Sequence, residues 1–126
     1  MNFLIVGPGA MGSLFAARLK RAGNNVTLLD YNNSRAKKIN QTGISVEGIS
    51  GSFTEKVSVK LQGPFDKIDY VLICVKAYNT KQAAESIKES IPDSSTLVTL
   101  QNGIGNMEIL EEIFGNHRVL GGVTSE

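Results

Sequence analysis

The chain has 126 residues, 41% of them apolar and 20% charged, with thirteen glycines and a formal charge of +1. That is the size and make-up of one globular domain, neither a disordered chain nor a disulfide scaffold. A charge so near zero, with basic residues spread along the chain and no run longer than a pair such as Lys37-Lys38, gives no field to draw nucleic acid or an anionic membrane surface.

The first residues, 1–6, lack the basic start of a signal peptide and run straight into Gly-Pro-Gly, so they read as a strand. No apolar run approaches the roughly 20 residues that span a bilayer. Cys74, the sole cysteine, lies in the apolar stretch "YVLICV" and reads as a small buried hydrophobe. A reduced, cytoplasmic setting is the expectation.

In chain order, Phe3 to Val6 is a buried strand, and Ala10 to Arg21 a helix with Met11, Leu14, Phe15 and Leu19 on one face, closed by Gly23. Val26 to Leu29 is the next strand, ending at Asp30, which makes a parallel strand–helix–strand unit. Ser34 is suited to cap a helix that stops at Gly43. "ISVEG" and "SFTEKVSV" then alternate as an inserted hairpin around a turn at Gly48 to Gly51. Gly63-Pro64 breaks the chain before "YVLICVK", whose continuous apolar run suits a strand covered on both faces. Thr80 caps a helix through Ile87, Pro92 closes that segment, and Thr96 to Leu100 is a strand. "QNGIGN", a helix from Met107 to Phe114 and a last strand, Arg118 to Leu120, complete the pattern. The class is α/β: a doubly wound, mainly parallel sheet with a small β-hairpin insertion.

Gly7, Gly9 and Gly12 form G-x-G-x-x-G between a strand and a helix, the context that turns a weak pattern into a dinucleotide fingerprint. Gly7 permits the tight turn, Gly9 lets backbone approach a pyrophosphate, and Gly12 lets helix pack closely on strand. Free N–H groups and the positive end of the helix dipole then face the phosphates. Methyltransferases and flavoproteins use related loops, so the motif alone does not choose the ligand.

Asp30 follows Gly12 by 18 residues, where a carboxylate accepts hydrogen bonds from an adenosine ribose and favours NAD. A 2'-phosphate about 4 Å from that carboxylate is repelled by several kcal/mol at an effective dielectric near 20 unless cations compensate. Arg35, with Lys37 and Lys38 nearby, is the candidate compensator, since its donors form a planar fork; a solvated helix face is the plainer reading of each. Further on, Lys76 ends one buried strand and Asn102-Gly103 ends the next, so both polar residues reach the same rim of a parallel sheet as the glycine loop. Separately, a lysine there is often a surface residue and Asn-Gly often only a turn. His117, at the start of the last strand and away from that rim, has no catalytic role.

The glycine loop, the strand ending in Val-Lys-Ala and the strand leading to Gln-Asn-Gly-Ile-Gly together resemble the ketopantoate reductase (2-dehydropantoate 2-reductase) family, in the 6-phosphogluconate-dehydrogenase-like group. The resemblance runs the length of the chain. It implies a Rossmann-type domain and NADPH-dependent reduction of ketopantoate to pantoate, on the route to pantothenate and coenzyme A. The residues matching Gly7, Pro8, Gly9, Ala10, Met11 and Gly12 would hold the pyrophosphate. Those matching Lys76 and Asn102 would lie near the nicotinamide and the substrate, in supporting catalytic roles, with no metal involved.

Two departures stand out. The family usually carries a basic residue near the end of the second strand for the 2'-phosphate, where Asp30 and Tyr31 stand here. NADP is thus the cofactor the resemblance implies, and NAD the alternative that Asp30 suggests. Family members also continue into a helical C-terminal domain that carries the general acid, whereas this sequence stops at Glu126. The expectation is therefore an N-terminal dinucleotide-binding domain, residues 1–126, partnered by that absent domain and a small keto acid and inactive alone. A reductase for another 2-keto or 3-hydroxy acid and a non-catalytic NAD(P)-sensing module are the competing readings.

Overall fold

The computed structural model describes residues 1–48, 51–76, 79–99 and 105–121. Its strands are β1 (Asn2–Val6), β2 (Asn25–Leu29), β3 (Ile44–Gly48), β4 (Gly51–Glu55), β5 (Ser58–Lys60), β6 (Tyr70–Ile73), β7 (Thr96–Thr99) and β8 (Val119–Gly121). Its helices are α1 (Ala10–Arg21), α2 (Asn33–Thr42), α3 (Thr80–Ile87) and α4 (Asn106–Phe114). Six strands form one sheet in the order β5-β2-β1-β6-β7-β8. Every pairing in that sheet is parallel, so all its strands end on the same rim. The expected α/β, doubly wound Rossmann-type architecture is what the chain adopts.

Alternation along the strands builds two cores. Leu4, Val6, Val71 and Ile73 point to the face covered by α3 and α4, where Ala83, Ile87, Leu110 and Phe114 meet them. Ile5, Leu28 and Leu72 point to the other face, against Ala16, Ala17 and Ala36 from α1 and α2. A fully buried Leu or Ile contributes about 1.5 to 3 kcal/mol, and residues of both faces lie at 0% exposure on β1. β1 is thus buried on both sides at the middle of the sheet, and its carboxyl end is a fixed point.

Strand order makes that point special. The chain moves from β1 outward through β2 to β5, then returns to the other flank of β1 for β6, β7 and β8. Loops leaving β1 and β6 therefore diverge, and the crevice between them is where ligands of open parallel sheets bind.

Local readings differ from the structure where tertiary contacts decide. The buried line on α1 is Gly12, Ala16 and Ala17, while Leu14 is exposed, because close approach to the sheet selects small residues at the contact and leaves Phe15 and Leu19 at its margin. Asn32, not Ser34, caps α2, accepting from the Arg35 N–H at 2.9 Å. Asn79 precedes α3, so Thr80 is its first, buried residue rather than its cap. "SFTEKVSV" is not one strand. Residues 51–55 pair with β3, whereas 58–60 join the main sheet beside β2, since Val57 and Val59 are buried in the α1/α2 core. β6 ends at Ile73, three residues before Lys76. Leu100, the expected end of β7, lies outside the described residues.

Candidate functional site

The loop from β1 to α1 is built almost wholly of backbone. Gly7 has φ +112°, and a Cβ there would lie 2.9 Å from the Cys74 carbonyl carbon and oxygen. A Cβ on Gly12 would lie 1.9 Å from the Gly7 oxygen. Both glycines are thus required by the protein itself: β6 passes under the loop, with the Cys74 N–H donating to the Val6 carbonyl at 2.8 Å, and α1 closes over it.

Gly9 is different. It has φ −65°, available to any residue, and a Cβ there would meet nothing within 4 Å. The fold does not need a glycine at that point, and the open space lies at the amino end of α1. That end has no side-chain cap and no acidic residue in its first turn, so its first N–H groups have no acceptor within the helix. Ser13 turns inward instead, its hydroxyl donating to the Pro8 carbonyl at 3.0 Å. Open backbone donors with positive dipole character suit an anion such as a pyrophosphate.

At the end of the neighbouring strand the construction relies on side chains. Asp30 is completely buried and accepts from Arg35 Nε at 2.7 Å, Arg35 Nη2 at 2.6 Å and the Asn32 N–H at 3.0 Å. Burial pushes its carboxyl upward, but the Arg35 hydrogen bonds, the Asn32 amide, the Arg35 charge and the Tyr31 amide outweigh that and hold it below the ordinary value. Hydrogen bonding to Asp30 correspondingly raises Arg35. The structure therefore brings Asp30 and Arg35 together, which sequence spacing did not specify. Lys37 and Lys38 lie on the exposed face of α2.

Tyr31, beside this pair, opens onto a cavity of about 190 Å³ that it shares with Val75, Asn79, Gln82 and Ala83. Sequence reasoning assigned no site role to these five residues. Asn79 and Gln82, three apart at the start of α3, are the only local signal.

Lys76 follows β6 on the same rim, exposed, with its carbonyl accepting from the Asn79 N–H at 2.8 Å. Asn102 lies outside the described residues. Asn106, just beyond that motif, is buried at the start of α4, and its Nδ2 has no partner among the described residues. Cys74 is partly buried, and that burial pushes its thiol up to about 11 and makes it a packing residue rather than a nucleophile. His117 sits in the 3-10 turn Asn116–Arg118 at the amino end of β8, across the sheet from this rim. Among the described residues no group of three His, Cys, Asp or Glu is placed to hold a metal ion, and no helix is long and apolar enough to cross a membrane.

A glycine cradle at the point where strand order reverses, on this fold, is common to many proteins; the whole sequence narrows it. The model of the family described as ketopantoate reductase PanE/ApbA matches residues 3–126. The chain belongs to the ketopantoate reductase family. It is 37% identical over 124 residues to the 2-dehydropantoate 2-reductase of Aquifex aeolicus, covering 95% of this chain and 37% of that protein. Among solved structures it is similar to 2-dehydropantoate 2-reductase from Geobacter metallireducens, with 34% identity, TM-score 0.84 and coverage of 98% and 41% of the two chains. It is also similar to D-mandelate dehydrogenase in its ternary structure with NADH and anilino(oxo)acetate, with 26% identity, TM-score 0.87 and coverage of 98% and 40%. The chain spans about 40% of the length of these ketopantoate reductases and their dehydrogenase neighbour.

Proposed function

We propose that these residues form the dinucleotide-binding part of a 2-dehydropantoate 2-reductase, holding a reduced nicotinamide cofactor against a 2-keto acid. One observation carries the reading: Gly9 leaves open, at the amino end of α1 and at the point where strand order reverses, a space that the protein's own packing does not require. Family membership and the name of the Aquifex relative support the choice of substrate.

In this reading the N–H groups of residues 9–12 bind the pyrophosphate, and the adenine rests against Tyr31 in the cavity with Val75, Asn79 and Gln82. Bound nicotinamide supplies a hydride to the keto carbon. Negative charge developing on the keto oxygen needs donors held close, the role this reading gives to Lys76 and Asn102. The general acid and most of the substrate contacts belong to residues outside these 126. NADPH is the cofactor of this reading. NADH and a different 2-keto acid form the second reading, favoured by the NADH-bound D-mandelate dehydrogenase among the structural neighbours.

Titration calorimetry of the full-length protein with NADPH, NADH, S-adenosylmethionine and FAD tests the ligand class. Binding of a nicotinamide nucleotide, with the other two silent, is expected. Binding of S-adenosylmethionine or FAD alone would overturn the proposal.

A further inference from the structure

The inserted hairpin creates a concave surface that the proposed reaction does not use. A two-stranded ribbon is marginal by itself, and β3–β4 rests on the α1 side of the fold through Ile44 and Val46, both buried. Beside that contact, Arg18, Arg21 and Ala22 from the end of α1 face Val46 and Phe53 across a cavity of about 380 Å³, within the size range of small-molecule sites. Gly48 and Gly51, paired at the end of the ribbon, line it without bringing a side chain to it. Arg18 and Arg21, three residues apart, lie on one face of the helix, but they are not equivalent. Arg21 is held in place: its guanidinium carbon lies 4.4 Å from the centre of the Phe53 ring, and its Nη1 lies 3.6 Å from Glu55 Oε1. The exposed guanidinium of Arg18 has no hydrogen-bond or ion-pair partner among the described residues. Since Glu55 offsets one of the two charges, the cavity presents one uncompensated cation beside an apolar wall. The negative end of the helix dipole accounts for basic residues in this turn, but not for the space kept between them and that wall.

We propose that this cavity is a binding site for a small organic monoanion with a flat apolar body, its carboxylate on Arg18 and its body against Val46 and Phe53. A guanidinium pairs with a carboxylate through two parallel N–H donors, and Arg18 has its whole fork to offer. The immobile Phe53–Arg21 pair forms a wall that needs no ordering when the ligand arrives. Helix α1 has twelve residues, about 18 Å at 1.5 Å per residue, so the cavity lies a helix length away from the glycine cradle. Anion and nucleotide would therefore be held together rather than in competition. The site goes beyond the dinucleotide reading and does not depend on it.

Titration of the full-length protein with 1-naphthaleneacetate and its neutral counterpart 1-naphthaleneacetamide, followed by the amide NMR signals of Gly48 and Gly51, tests the site without requiring turnover. Saturable shifts at both glycines are expected, at the same probe concentration with and without saturating NADPH. The acid should bind about fivefold more tightly than the amide, the value of one exposed charge pair. Arg18→Ala should abolish that preference and leave the affinity for the amide unchanged, while Arg18→Lys, which keeps the charge without the fork, should retain part of it. Ala22→Leu, which fills the cavity from an exposed position, should weaken both probes alike. The absence of saturable shifts at Gly48 and Gly51, equal affinity for the two probes, an Arg18→Ala protein that still prefers the acid, an Ala22→Leu protein that binds both as the wild type does, or displacement by NADPH would overturn the inference. The dinucleotide reading would stand in each case, since the nucleotide titration decides it separately.

Discussion

The loops that leave β1 and β2 lie side by side on one rim, and different forces hold them. After β1 the chain is shaped by backbone against backbone: Gly7 against Cys74, and Gly12 against Gly7. After β2 it is shaped by one buried carboxylate that gathers the Asn32 amide and the Arg35 guanidinium around itself. The first arrangement cannot be altered without disturbing the core beneath it. The second rests on a buried carboxylate whose main partner, Arg35, is half in solvent, so that partner can be altered with modest damage to the fold, which makes this loop the place where cofactor preference can change.

Substitutions should separate the two. The largest effect is expected for Gly12→Ala, whose Cβ would sit 1.9 Å from the Gly7 oxygen. Backbone must move to admit it, at a cost of about 3 kcal/mol, seen as a lower unfolding midpoint together with loss of nucleotide binding. Asp30→Asn should cost less, roughly 1 to 2 kcal/mol, because the half-exposed Arg35 loses its charged partner but keeps water.

That second cost should depend on pH. The folded Asp30 titrates below its ordinary 3.8, so its contribution is fully present above that value and is lost as pH falls through the lowered folded value. Denaturation curves of the wild type and Asp30→Asn should therefore differ at neutral pH and converge in acid. A gap that widened on acidification would contradict the ion pair. Smaller again, Arg118→Ala removes bonds to the Ser95 carbonyl (3.1 Å) and the Pro92 carbonyl (2.9 Å) at the opposite rim. It should lower stability by about 1 kcal/mol and leave nucleotide affinity unchanged.

The contrast between the two loops also explains what the sequence reveals. The alternation of strands and helices, the span of α1 and the glycine cradle are local properties, carried by residues within a turn or two of one another. Caps were harder to read: Asn32 and Ser34 are equally suited by type, and the turn that Asp30 imposes on the backbone chooses Asn32. The break between β4 and β5 is invisible in the alternation of 52–59, because it depends on Val57 and Val59 finding the core beside β2. In the site, spacing could place Asp30 and Arg35 near each other but could not say that one would occupy the other. The Tyr31 cavity draws on residues from three separate segments, so no single stretch announces it.

Gly9 is where the smallest structural effect meets a large functional one. Gly9→Ala places a methyl group in open space at an N-cap and should change stability by less than about 1 kcal/mol. The same methyl group stands where a pyrophosphate must approach the backbone, so NADPH affinity in a calorimetric titration should fall by about tenfold or more. A Gly9→Ala protein that binds NADPH as tightly as the wild type would contradict the claim that this space is kept for a dinucleotide.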